Sequence, residues 1–89
     1  MATDQENEQQ VTFSAFIMGL GTQVLVCLGE VPDPMTNQKS KNTMIAKQTI
    51  DVLALLQEKT KGNLTTDESK LLSEMLGGLR LAYVDAIKK

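Results

Sequence analysis

The stretch VTFSAFIMGLGTQVLVCLG, Val11 to Gly29, runs for nineteen residues without a formal charge in a chain otherwise dotted with Lys, Asp and Glu. Three structures satisfy such a run: a membrane span, a hairpin of two strands, or one helix buried between protein surfaces. The spacing inside the run separates them. Phe13, Ile17, Leu20, Val24, Cys27 and Leu28 recur at steps of three and four, the stripe of an amphipathic helix. The other side is not charged either, since Met18, Leu25 and Val26 accompany Ser14, Thr22 and Gln23 there. A helix apolar on most sides has to be covered on most sides.

The hairpin alternative places a β-hairpin at 11–31 about the GLGT segment. It draws on the β-branched and aromatic residues and on the cost of Gly19 and Gly21 to a helix, roughly 1 kcal/mol each against alanine. Against it, Val24 to Leu28 is apolar without alternation, and a ribbon with two apolar faces needs two covering layers. The membrane alternative uses residues 11–29 as an anchor. Nineteen residues reach the lower end of the spanning range of about 17 to 25. Yet Ser14, Thr22, Gln23 and three glycines weaken insertion, no Trp or Tyr marks an interface, and both flanks are acidic.

After this run, GEVPDPMT at 29–36 stops whatever precedes it, because Gly29 suits a helix C-cap and Pro32 and Pro34 bar continuation. A second helix is expected from about 37 to 61, with Ile45, Thr49, Val52 and Leu56 on one line and Ala46, Ile50 and Leu53 beside it. Lys59 and Lys61 favour its negative end, and Gly62 is placed for the left-handed conformation of a Schellman-type cap. Asn63 and Leu64 then lead into Thr65, which with Glu68 spells a capping box. The third helix, about 66 to 87, turns Leu72, Met75, Leu76, Leu79, Ala82, Tyr83 and Ala86 inward. Gly77 and Gly78 interrupt it, bending the helix or letting a neighbouring backbone come close. A connection this short makes the last two helices an antiparallel hairpin. Residues 1–10, MATDQENEQQ, have almost no apolar content and are expected to form a flexible tail before a single helical domain at 11–89.

At the Gly62 to Glu68 corner the chain resembles a known family. The strings IDVLALLQEKTKGNLTTDESKLL and LRLAYV, with FSAFIMGLGTQVLVCLGEVPDP before them, are similar to a bacterial family of small proteins, a domain of unknown function with series number eighteen forty-four. The resemblance implies a small helical domain and assigns no activity, cofactor or site residue.

Chemistry is bounded by what the chain lacks. It has no histidine and one cysteine, Cys27, so an internal disulfide and the usual zinc spacings are excluded, and a lone thiol in an apolar run fits the cytoplasm. The acidic first ten residues are unlike a secretory leader. GLGTQV lacks the third glycine of a dinucleotide fingerprint and the βαβ unit around it. Asp67 and Glu68 are explained by a helix start, and Cys27 has no histidine to act as its base, so no catalytic residue, cofactor or metal is expected. The net charge of −2 and the absence of aromatics among Lys39, Lys41 and Lys47 argue against nucleic acid and a ribosomal role.

The reading is therefore all-α: three helices at about 11–29, 37–61 and 66–87. Eighty-nine residues bury only roughly 60 to 65% of the surface that the unfolded chain exposes. With no disulfide or metal to add stability, self-association is the remaining route. The expectation is a non-enzymatic interaction module, a homo-oligomer and most simply a homodimer, joined through Phe13, Phe16, Ile17, Leu20, Val24 and Leu28. An unidentified protein partner is also open. Within the helical hairpin, Asp51 and Arg80 lie about one turn apart in register and are expected to form an ion pair, with the Tyr83 hydroxyl nearby.

Overall fold

In the computed structural model, which describes residues 11–88, the uncharged run is a helix. Thr12 is extended (φ −128°, ψ 156°) and its Oγ1 accepts from the Ala15 N–H at 3.0 Å, an N-cap that opens α1, Phe13–Cys27. Ala15, Gly19 and Gly21 all lie within it, and among the described residues there is no strand, so the β-hairpin at 11–31 is discarded. The helix ends where Gly29 turns left-handed (φ 79°). Gly29 N–H donates to Val26 C=O and Glu30 N–H to Leu25 C=O, each at 3.0 Å, which together make a Schellman motif.

The second helix starts later than expected. Residues 37–42 are not helical: Asn37 is left-handed (φ 59°), and its N–H bonds back to Asp33 C=O at 2.6 Å. Asp33 Oδ1 accepts from Met35 N–H at 2.8 Å, so local side-chain bonds hold this linker in turns. Asn42 then caps α2, Thr43–Lys59, by accepting from Ile45 N–H at 3.1 Å. Its own N–H reaches back to Cys27 C=O at 2.6 Å, which pins the start of α2 to the end of α1.

At the second corner Gly62 is left-handed (φ 87°), but the bonds that close it are Lys61 to Glu58 at 3.4 Å and Asn63 to Thr60 at 2.8 Å, successive tight turns rather than a Schellman pair. The capping box is reciprocal. Thr65 Oγ1 accepts from Glu68 N–H at 3.1 Å, and Glu68 Oε1 accepts from Thr65 N–H at 2.9 Å. It opens α3, Thr66–Lys88, with Asp67 and Glu68 in the positive first turn and Lys88 in the negative last one.

All three helices pack on one another, α1 against both α2 and α3. The core is Ile17, Val24 and Leu28 from the first, Ala46, Ile50 and Leu53 from the second, and Leu72, Leu76, Leu79 and Ala86 from the third. Thr49 is also buried, and its hydroxyl donates to Ile45 C=O at 2.9 Å, so no polar atom there lacks a partner. Residues 1–10, expected to be a tail, and Lys89 lie outside the described residues.

Candidate interaction surface

The core corrects the expected interface. Ile17, Val24 and Leu28 are covered by α2 and α3 of the same chain, and Phe13 and Leu20 pack half-buried against that core. Only Phe16, 51% exposed, is left outside. Helical periodicity marked all but Phe16 as covered and left the cover to a second chain, whereas the longer α2 and α3 supply it from the same chain.

The opposite side of α1 is the unusual one. Its exposed residues are Ala15, Phe16, Met18, Gly19, Thr22 and Gln23. None is charged, and Phe16 and Met18, each about half exposed, stand at the two edges of this face. Thr22 donates its hydroxyl to Met18 C=O at 3.0 Å, so it is satisfied within the helix and only the Gln23 amide remains to hold water. Between this face and α3 lies an open groove of about 330 Å³, walled by Met18, Leu25, Leu71, Met75 and Leu79 with Glu74 at its edge.

The glycines of α1 have different reasons to be there. A Cβ on Gly21 would lie 3.0 Å from Met75 Sδ, so that glycine makes room for α3. A Cβ on Gly19 would meet nothing within 4 Å, and the same holds for Gly77 and Gly78 of α3. Each costs its helix roughly 1 kcal/mol against alanine with no return inside the chain.

Asp51 does not pair with Arg80. Among the described residues its ion pair is with Lys47, at 3.0 Å and four residues back on the same helix, both side chains exposed. An i,i+4 partner needs less ordering than one across a helix pair, and such surface pairs contribute about 0.3 to 0.5 kcal/mol. Asp51, Arg80 and Tyr83 instead share a shallow cleft of about 320 Å³ with Ile50 and Val84. The lysine cluster is also partly used inside the chain. Lys47 holds Asp51, and Lys41 Nζ donates to Ala86 C=O at 3.1 Å at the end of α3. That end borders a cleft of about 410 Å³ between Leu28, Gly29, Glu30 and Lys39.

Cys27 is a half-buried free thiol, and among the described residues no group of three His, Cys, Asp or Glu side chains is placed to hold a metal. No helix among the described residues is long and apolar enough to cross a membrane. At about 1.5 Å per residue, the 15 residues of α1 fall short of a hydrocarbon core about 30 Å thick.

Among the described residues, more large apolar side chains stay exposed than are buried in the core, since two of the buried residues are alanines. Ten stay exposed among the described residues: Val11, Met35, the pair on α1, Met44, Val52 and Leu55 on α2, and Leu81, Val84 and Ile87 on α3, against ten buried apolar residues. Met18 was legible in sequence only as a residue off the main stripe, and Leu55 and Leu81 carried no signal that singled them out. The family model described as Domain of unknown function (DUF1844) matches residues 10–85, so the chain belongs to that family. No curated protein and no solved structure matches it.

Proposed function

We propose that this member of the DUF1844 family is an interaction module that associates with further copies of itself through the outward face of α1. The observation that carries the reading is the chemistry of that face: a solvent-facing helix surface with no charge on it, bearing Phe16 and Met18 half exposed. Ordinary surface helices carry charged residues opposite their apolar stripe. Gly19, whose missing side chain serves nothing inside the chain, leaves room for a second backbone between the two large side chains. The groove of Leu71, Met75 and Leu79 beside it extends the apolar area onto α3.

A second copy fits this face because it brings an identical uncharged α1 surface, while the exposed Glu74 stays at the edge of the groove. The full chain in light scattering at tens of micromolar is expected to show a mass of at least twice the 9.7 kDa of one chain. Gly19→Glu has open space around it, so it keeps the helical circular dichroism while lowering that mass. A wild-type protein that stays at the mass of one chain overturns the proposal, and so does an assembly indifferent to Gly19→Glu.

A further inference from the structure

We infer that α3 carries a second self-association surface, on which it packs antiparallel against α3 of another copy about a two-fold axis at Leu81. Leu81 is 74% exposed, more than any other large apolar side chain inside the three helices. It lies away from the buried row Leu72, Leu76, Leu79 and Ala86. One turn before it stand Gly77 and Gly78, with open space where their side chains would be.

A two-fold axis at Leu81 opposes positions equally far to either side of it. Gly78, three residues before, then faces Val84, three residues after, and the partly exposed valine of each copy fits the gap left by the glycine of the other. Gly77 faces Asp85, where the absence of a side chain leaves room for the carboxylate. Glu74 and Lys88, seven residues either side, face one another, and symmetry makes that pair twice.

Neighbouring registers are worse. An axis at Val84 opposes Arg80 to Lys88, two like charges, and an axis between Gly77 and Gly78 sets Glu74 against Leu81. One register therefore accommodates the exposed leucine and both glycines and pairs Glu74 with Lys88. The surface touches the α1–α3 groove only at Glu74, while its leucine, both glycines, Val84 and Lys88 lie outside that groove. With both in use, each copy has two self-complementary contacts and assembly continues past the dimer.

The test uses the full chain carrying Cys27→Ser and Leu81→Cys, oxidised with copper phenanthroline. A covalent dimer is expected, because residue 81 meets its own counterpart at the axis, whereas Asp67→Cys in the same background gives none. Glu74→Lys and Lys88→Glu are each expected to weaken association by about threefold to tenfold, and the two together restore it. If Leu81→Cys fails to cross-link while the protein remains an oligomer, or the charge swap does not restore association, this inference falls and the α1 reading stands. If cross-linking and rescue occur but Gly19→Glu changes nothing, the α1 reading falls and this one stands. A monomer without cross-links removes both.

Discussion

α1 and the α2–α3 hairpin contribute similar apolar ridges to one core, yet they meet solvent in opposite ways. The hairpin carries Lys47 paired to Asp51, then Glu58, Lys59, Lys70, Glu74, Arg80 and Lys88 on its outward surfaces. α1 carries no charge on its own. Charges on a helix's solvent side contribute little to folding energy but keep that side wet and unattractive to neighbours. Their absence from α1 sets its solvent-facing side apart from those of α2 and α3, and the proposed self-association rests on that difference.

The comparison breaks most directly at Ile17, which has no exposure at all. Ile17→Ala is expected to lower the unfolding free energy by about 2 to 4 kcal/mol, read as an earlier thermal transition in circular dichroism. A variant with unchanged melting would show that the stripe is not the core of the single chain.

The capping box tests the hairpin side. Thr65→Ala removes the acceptor for the Glu68 N–H, and about 1 kcal/mol of stability should go with it. For a domain this small that is a fall in melting temperature of roughly 4 to 8 °C. No fall would mean that packing of α3, rather than its cap, fixes where the helix starts.

Glycines sharpen the contrast further. Under dilute conditions that favour single chains, Gly77→Ala should raise stability by up to about 1 kcal/mol, since the new methyl meets nothing. Gly21→Ala should gain nothing or lose a few tenths of a kcal/mol, because Met75 Sδ must move aside. Equal gains at both positions in urea unfolding would contradict the packing of α1 on α3. The smallest effect belongs to the surface pair: Asp51→Asn is expected to shift stability by less than about 0.5 kcal/mol, and a loss several times larger would point to Arg80 as a second partner.

What could be read from sequence depended on how local its cause was. The capping box of Thr65 and Glu68 was legible because it involves residues three apart whose chemistry is visible in a line, whereas the Schellman-type closure expected at Gly62 gave way to tight turns. The start of α2 was not, because Lys39 to Asn42 carries only weak helix preference, and Asn37 and Asn42 used their backbone and side chain for a turn and a cap instead. Asp51 shows a similar limit: Lys47 and Arg80 both lie within reach by register, and side-chain freedom decided between them. The stripe of Ile17, Val24 and Leu28 shows the most general one. Periodicity states that a face is covered, and it is silent on whether the cover comes from the same chain or another.

Fifteen residues, 28–42, separate α1 from α2, whereas only six, 60–65, separate α2 from α3, and that corner is closed by bonds between residues three apart. Bringing distant segments together costs more chain entropy than closing a short turn, so contacts of long separation slow the search for the native state. The hairpin around Thr65 is therefore the expected starting point of folding, and α1 docks onto it afterwards. Until it does, the inner and outer faces of that helix are both uncovered. The interval between hairpin and docked α1 is thus when two newly made chains are most prone to exchange first helices.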